Sequence, residues 1–292
     1  MGMGNTALKA VCGALLILCL PLLMPGCSSA PKRPAEIFTV RNMTETQLEL
    51  ANRAADQGRY AEALELLQEA RRLAVRADDP KLLIRTSLSR GNILFYLGRT
   101  GEAEELWTAA LDEALAAGDE ELAAVSRVYM ARSGLLGGVS DAGTVRTQVR
   151  EELSRIKSPL HTALAWIVAG LAEKELGRWN DGENALKNAL GIHQKHNYLE
   201  QAAYDWYLIA SIRSVAGDYS GALEALDEAL AFDRRAENTY GLGMDWFARG
   251  EVQRKAGNTA EAAAAYRRSG DIFRSLSLEK EAEQAEQRLS AL

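Results

Sequence analysis

The chain has 292 residues, of which 47% are apolar and 25% are charged, a balance typical of a globular protein and not of a disordered one. Its formal net charge of -6 disfavours nucleic acid as a partner, because nucleic-acid-binding proteins present basic surfaces to the phosphates. The cysteines are Cys12, Cys19 and Cys27, so the sequence after residue 27 predicts no disulfide and no thiolate metal site.

Residues 1–26 are typical of a signal peptide. Lys9 supplies a positive charge near the start, and an apolar stretch covers residues 10–24. Gly13 and Pro21 interrupt this stretch, which is also too short to cross a bilayer as a helix. We therefore expect a targeting segment and not a membrane-spanning one.

The segment from residue 23 to residue 29, LMPGCSS, resembles the cleavage box of bacterial lipoproteins. The resemblance implies that Cys27 becomes the N-terminus and carries a lipid anchor, and that Ser28 favours the periplasmic face of the outer membrane. The alternative is a leader cleaved elsewhere, which leaves Cys27 as a free thiol. Residues 27–43 contain two prolines and lack apolar periodicity, so we interpret them as a lipidated tether.

A glycine recurs at a nearly constant interval through the rest of the chain. The intervals are 40, 40, 39, 40 and 40 residues, between Gly58, Gly98, Gly138, Gly177, Gly217 and Gly257. Ala or Gly also stands seven residues before and five residues after each of them. Glycine readily ends a helix in a left-handed conformation, and small side chains let neighbouring helices approach closely. The pattern predicts an all-α array of six helix-turn-helix units over residues 44–276.

Local signals mark individual units of this array. Asp79-Pro80 and Ser158-Pro159 each combine an N-cap residue with a proline in the first helical turn, which predicts the start of the second and fourth units. The apolar stripe of the third unit is shifted relative to the other units, so we expect its second helix to pack out of line. Residues 277–292 predict one further helix that caps the open end of the array.

The glycine and alanine positions resemble the tetratricopeptide repeat (TPR). The clearest copy has Trp206 and Ala229 around the segment GDYSGAL, which runs from Gly217 to Leu223. The period is 40 residues instead of the standard 34, which implies helices longer by about one turn each. The resemblance implies a right-handed solenoid whose first helices line a concave groove for a peptide or protein client.

Mapped by spacing, the resemblance places a set of side chains on this groove. They are Asn52, Arg85, Asn92, Phe95, Tyr96, Arg132, Leu171, Lys174, Tyr204, Tyr207, Phe247 and Arg254. Asn52 and Asn92 hold the same position in consecutive units, where an amide could hydrogen-bond a bound backbone or could be solvated at the surface. Tyr204, Tyr207 and Phe247 indicate an aromatic patch, unless they are buried between the longer helices.

No catalytic motif is present in the sequence. His193 and His196 are three residues apart, but we interpret them as charges near a helix C-terminus and not as metal ligands. We therefore expect a non-catalytic scaffold with no cofactor, no metal and no small-molecule substrate.

The expected function is the binding of a protein or peptide client during assembly of an envelope complex, such as a pilus, a secretion channel or an exporter. The alternative is a structural subunit that joins such a complex through its convex face or its ends and holds no ligand in the groove.

Overall fold

The computed structural model describes residues 38–292, which form α-helices joined by short turns. Thirteen helices and no strand occur in this part of the chain, so the all-α prediction is confirmed. The predicted signal peptide, the lipidation site at Cys27 and most of the predicted tether lie outside the described residues.

The helices form consecutive pairs, one pair for each predicted unit. The pairs are α1 (Thr39–Asp56) with α2 (Tyr60–Arg76), α3 (Pro80–Tyr96) with α4 (Thr100–Ala116), α5 (Glu120–Leu136) with α6 (Ala142–Glu152), α7 (Pro159–Glu175) with α8 (Trp179–Lys195), α9 (Leu199–Val215) with α10 (Tyr219–Ala236), and α11 (Thr239–Lys255) with α12 (Thr259–Ser275). A last helix, α13 (Glu279–Ser290), buries Ala282 and Ala285 against α12. The result is a solenoid of six units with the predicted capping helix at its C-terminal end.

The first helix starts earlier than the sequence suggested. Helix α1 begins at Thr39, before the predicted start of the array at Thr44, so residues 39–43 belong to the array and not to the tether. The helix extends because no proline or glycine stands between Pro34 and Gly58 to stop it. Thr44 lies inside the helix, fully buried, and its hydroxyl donates to the carbonyl of Val40 at 2.9 Å.

The periodic glycines end the first helix of each pair, as predicted. Their φ angles lie between 67° and 85°, in the left-handed region that other residues rarely adopt. The turns between pairs reach the same region, but mostly without glycine, at Asp78, Gly118, Asn197, Glu237 and Ser277. Glycine therefore gives the turns within units their left-handed conformation without strain. Most turns between units place a residue with a side chain in that conformation, which costs energy.

The small residues beside the turns make room for two kinds of contact. A Cβ atom at Gly170 would lie 3.1 Å from the carbonyl oxygen of Gly182, so the backbones of α7 and α8 touch. Gly91 instead makes room for the ring of Trp107, whose Nε1 donates to the carbonyl of Leu88 at 3.2 Å. Close helix packing is thus confirmed, with an aromatic ring filling the gap in the second unit.

The third unit departs from the others, as its sequence indicates. Helix α6 has 11 residues, whereas the second helices of the other pairs have 17 or 18. Val145 and Val149 still face the core. The loop after α6 is held by Glu121, whose carboxylate accepts from the backbone N–H groups of Lys157 at 2.9 Å and Ser158 at 2.7 Å.

Two clusters of buried apolar side chains fill the array. One lies between α1, α2 and α3 around Leu48 and Leu67. The other extends from α3 to α11 and includes Trp107 and Leu186. Within residues 38–292, no helix has both the length and the apolar character needed to cross a membrane.

The array curves until its first unit meets its fifth and sixth units. At the end of α1, Gln57 donates to Glu200 at 3.3 Å, and Gln201 donates to Asp56 at 2.5 Å. In the turn after α1, a Cβ atom at Gly58 would lie 2.7 Å from the ring of Tyr240. These side-chain contacts close the inner side of the solenoid around a cavity.

Candidate functional site

A cavity of about 330 Å³ lies where the first unit meets the fifth and sixth units. One wall comes from the end of α1, the start of α2 and the end of α3, and the other comes mainly from α9 and α11. The lining contains five tyrosines and four carboxyl side chains, but no Lys, Arg or His. We call this space the closure cavity.

Tyrosine rings form two stacked pairs in the walls of the closure cavity. Tyr60 stacks on Tyr96 with the ring centroids 6.2 Å apart, and Tyr204 stacks on Tyr207 with the centroids 6.1 Å apart. Tyr96 is 47% exposed and Tyr204 is 42% exposed, so large parts of both rings are open to a ligand. The faces of such rings carry partial negative charge and attract cations.

Two carboxyl groups, those of Asp233 and Asp245, meet in the wall of the closure cavity, and each residue is only 2% exposed. The Oδ1 atom of Asp233 accepts a hydrogen bond from Nδ2 of Asn238 at 3.0 Å. The Oδ2 atom of Asp245 is buried, and no donor group of the protein contacts it. Two carboxyl groups can hydrogen-bond to each other only by sharing a proton.

Burial raises the pKa of both carboxyl groups above the ordinary range of aspartate, and the charge of Asp233 raises the pKa of Asp245 further. Glu200, half-buried in the same wall, also has a raised pKa because of burial. The raised pKa values therefore favour a proton shared by the aspartate pair at neutral pH. When the pair loses this proton, Oδ2 of Asp245 has no donor in the protein, and a buried polar group without a partner costs about 1–3 kcal/mol.

The preceding repeat has a different pair at the same positions. His193 and Asp205 precede Asp233 and Asp245 by 40 residues each. The Nδ1 atom of His193 lies 2.6 Å from Oδ2 of Asp205, and both side chains are buried. Burial raises the pKa of Asp205 to about 6, although the contact with His193 opposes the rise. An aspartate thus faces an imidazole in one repeat and a second carboxyl group in the next.

Three of the predicted groove residues, Tyr96, Tyr204 and Tyr207, line the closure cavity. They come from α3 and α9, which are far apart in sequence, and the curvature of the array brings them together. Phe247, the third member of the expected aromatic patch, lies outside the cavity. Its half-buried ring packs against Tyr266 at a centroid distance of 5.6 Å.

Asn92, Phe95 and Arg132 form a separate group beside Tyr96. The guanidinium of Arg132 donates to Oδ1 of Asn92 and lies over the rings of Phe95 at 5.0 Å and Tyr96 at 5.5 Å. Arg132 is only 5% exposed. The charge of Arg132 and the amide oxygen of Asn92 are therefore engaged within the protein.

Asn52 and Arg85 line a second cavity, of about 610 Å³, between α1, α3, α5 and α7. Arg85 pairs there with Glu45, which holds the same position in the preceding repeat. Asn52 is exposed at this surface. These two residues face the inner side of the array but not the closure cavity.

The remaining predicted residues lie elsewhere. Lys174 donates from Nζ to Oγ of Ser211 at 3.0 Å, and the exposed Arg254 pairs with Glu251 at 3.0 Å. The prediction that placed Leu171 on the groove is wrong, because Leu171 is 9% exposed and packs in the core. Neighbouring helices cover α7 so fully that residues 167–173 are all buried.

The two histidines that the sequence singled out do not come together. His193 is buried against Asp205, whereas the exposed His196 stacks on Tyr198 with the ring centroids 5.7 Å apart. No group of three or more side chains suited to hold a metal ion occurs among residues 38–292. His193 is thus the hydrogen-bond partner of a buried carboxyl group.

The carboxyl groups of the closure cavity were not among the residues predicted from the sequence. A signal was present, because Asp205 and Asp245 occupy equivalent repeat positions directly before Trp206 and Trp246. A carboxyl group at an inward position of a helix is rare unless it is paired. Aligning the repeats residue by residue would have marked both aspartates as unusual.

Comparisons with known proteins agree with the repeat architecture. Residues 44–77 match the family described as tetratricopeptide repeat. No curated protein matches the sequence. Among solved structures, the chain is similar to a Rap protein complexed with Competence and Sporulation Factor, with 16% identity, a TM-score of 0.58, and coverage of 85% of this chain and 74% of that chain. It is also similar to PlcR of Bacillus thuringiensis, solved with the peptide PapR7 and DNA, with 15% identity, a TM-score of 0.58, and coverage of 75% of this chain and 83% of that chain.

The protein thus has a TPR-type fold, in which helix-turn-helix units stack into a solenoid. The prediction of a TPR-like array is confirmed. Proteins of this fold are generally non-catalytic and present concave surfaces to their binding partners.

Proposed function

We propose that the protein is a non-catalytic scaffold that holds a segment of a protein client on its concave face. The closure cavity carries the proposal, because it lies between inner helices and presents half-exposed tyrosine rings. Tyrosine is enriched at the centres of protein interfaces, since it joins a large apolar surface to a hydroxyl group. The PlcR structure, which has a similar fold and holds the peptide PapR7, supports the proposal as a fold-level analogy.

Client binding is proposed to occur at the bacterial cell envelope. The supporting observation is the LMPGCSS segment, in which Cys27 would carry the lipid. More than one acyl chain on this residue would anchor the protein stably, because a single chain binds membranes only marginally. The scaffold would then assist the assembly of an envelope complex such as a pilus, a secretion channel or an exporter.

The anchor can be tested by replacing Cys27 with Ala. The wild-type protein is expected in the membrane fraction with a lipidated N-terminal peptide detectable by mass spectrometry, and the C27A variant is expected in the soluble fraction. Membrane association of C27A equal to that of the wild type would count against the lipid anchor.

Client binding can be tested by site-specific crosslinking in cells. A photoreactive phenylalanine at Tyr204 should give a discrete protein adduct, whereas the same residue at Val75 should not. Val75 is a matched control because it is 58% exposed on α2 and lies outside the closure cavity. Adducts from Val75 or from Gln287 of α13, with none from Tyr204, would instead favour a structural subunit that uses its convex face or its end.

A further inference from the structure

The chemistry of the closure cavity selects for a positively charged group. Its lining holds the carboxyl groups of Asp56, Glu200, Asp233 and Asp245 and no basic residue. Five tyrosine rings surround these groups. Aromatic rings and carboxylates together form a favourable environment for an ammonium or guanidinium group and an unfavourable one for an anion.

Asp245 supplies a second indication that this wall can accept a donor group. Its Oδ2 atom is buried without a donor, and the residue is 2% exposed. Buried polar atoms of native proteins almost always have a hydrogen-bond partner. The neighbouring Asn238 does not supply it, because its amide group donates to Asp233.

The preceding repeat indicates which kind of group is missing. There, Oδ2 of the aspartate at the equivalent position, Asp205, lies 2.6 Å from the Nδ1 atom of His193, while its Oδ1 atom has no donor. In the closure cavity, Asp233 stands where that histidine would be. One repeat later, a second acid therefore stands in place of a nitrogen donor that can carry positive charge, at a position that borders a cavity.

We propose that the closure cavity receives one basic side chain, Lys or Arg, of the client segment. The inference rests on the proposed function, because the client brings the cation. The charged end of the side chain lies against Asp233 and Asp245 and supplies the donor that Asp245 lacks. Its aliphatic stem packs along the rings of Tyr60 and Tyr204, as long basic side chains commonly do on apolar surfaces.

Binding of the cation displaces the proton that the two aspartates share. The raised pKa values of the pair mean that protons compete with the ligand, so affinity rises as the pH increases through the range in which the pair ionises. The other titratable or charged groups that interact with the pair are Asp56 of α1, Glu200 and Tyr207 of α9, and Arg234 of α10.

The experiment is a calorimetric titration of the purified full-length protein in detergent with blocked heptapeptides. The probe is Gly-Ser-Gly-Lys-Gly-Ser-Gly, and its matched control carries norleucine, which has a similar stem and no charge. We expect the lysine peptide to bind at least about tenfold more tightly at pH 8 and to lose affinity at pH 6. Equal affinity for the two peptides would overturn the proposal. Binding of free cadaverine without binding of the lysine peptide would also overturn it, since the ligand would then be a free amine.

Two variants locate the interaction within the cavity. Asp245→Asn should abolish both the preference for lysine and its pH dependence. Asp205→Asn is the matched control, because it makes the same replacement at the equivalent position outside the cavity, and it should leave the affinity unchanged. Tyr204→Leu alters a half-exposed residue and therefore tests the cavity without disturbing the buried pair. It should weaken binding of the lysine peptide about fivefold and leave the norleucine peptide unaffected.

This inference and the proposed function can fail separately. If the Tyr204 crosslink to a client persists in the Asp245→Asn variant and no peptide prefers lysine, the client binds but not through a basic side chain. If the lysine peptide binds and no client crosslinks at Tyr204, the cation site stands without the scaffold function, and the proposal that a client supplies the cation is overturned.

Discussion

Two buried aspartates, Asp205 and Asp245, occupy equivalent positions in neighbouring repeats and face different partners. Asp205 faces His193 at 2.6 Å in a closed pair. Asp245 faces Asp233. Each aspartate has one buried oxygen atom without a donor, Oδ1 of Asp205 and Oδ2 of Asp245. The residue at the partner position, histidine or aspartate, therefore decides whether a nitrogen atom or a second carboxyl group faces the buried aspartate.

The difference shows how a repeat protein can change the chemistry of a buried position without changing its backbone. Both aspartates are placed by the same helix pairing, but only Asp245 borders the closure cavity. In the pair of His193 and Asp205, an imidazole nitrogen contacts the aspartate. In the pair of Asp233 and Asp245, the proposed basic side chain of the client would supply that nitrogen.

The largest expected effect comes from giving Asp205 the partner that Asp245 has, a second aspartate in place of His193. His193→Asp breaks the buried pair of His193 and Asp205 and places a second carboxyl group there, which should cost about 3–5 kcal/mol of unfolding free energy. Urea denaturation at pH 7 measures the loss. His196→Asp, the same replacement at an exposed position, should cost less than about 1 kcal/mol. A loss below about 1 kcal/mol for His193→Asp would show that the pair is not structural.

The reverse exchange should stabilise the protein. Asp233→His gives Asp245 the partner that Asp205 already has, so the unfolding free energy at pH 7 should increase by about 2 kcal/mol. The urea midpoint should rise while the slope of the transition stays constant. The exposed Glu228 on the same helix provides the control, since Glu228→His should change little. A destabilised Asp233→His variant would contradict the view that Asp245 lacks a donor.

The pH dependence of the unfolding free energy should differ between the wild-type protein and the Asp245→Asn variant. The folded-state pKa of Asp245 is raised, so the folded protein binds more protons than the unfolded chain, and stability falls as the pH rises above about 4. Asp245→Asn removes this loss. The variant should be more stable than the wild type by about 1–2 kcal/mol at pH 8 and by little at pH 4. Thermal unfolding across this pH range provides the measurement, and a constant difference at all pH values would argue against a raised pKa.

The smallest effect concerns two turns between helices. One joins the helices of His193 and Asp205, and the other joins the helices of Asp233 and Asp245. Asn197 and Glu237 hold equivalent left-handed positions, with φ angles of 57° and 54°. Asparagine tolerates this conformation better than glutamate. Glu237→Asn should therefore raise the unfolding free energy by about 0.5 kcal/mol, measured by urea denaturation. A loss of stability would indicate that the Glu237 side chain has a role that its exposed position does not suggest.

The periodic features of the fold were predictable from the sequence, because local chemistry determines them. A glycine with positive φ leaves a recognisable mark at each turn, and Asp79 caps α3 as its sequence indicates, accepting from the N–H groups of Lys81 at 3.0 Å and Leu82 at 3.3 Å. The early start of α1 was missed because no strong cap marks it. Its N-cap residue, Phe38, has no side chain that can accept a hydrogen bond.

The candidate site was predictable only in part. The spacing of the repeats placed Tyr96, Tyr204 and Tyr207 on the inner face. It could not show that they line one cavity, because their distance in space depends on how far the array curves. Spacing also could not show that Arg132 is engaged by Asn92, a residue one repeat earlier. Such contacts between equivalent positions depend on the angle between neighbouring units, which no single repeat encodes.

The contact between Gly58 and Tyr240 has a consequence for how this protein can evolve. In an open solenoid, each repeat touches only its neighbours, so gene duplication can add a unit and leave the remaining surfaces intact. Here an additional copy of the 40-residue unit would carry Tyr240 away from Gly58 and split the tyrosine pairs between distant places. The number of repeats thus determines whether the closure cavity exists, and lineages that keep the cavity must keep the number.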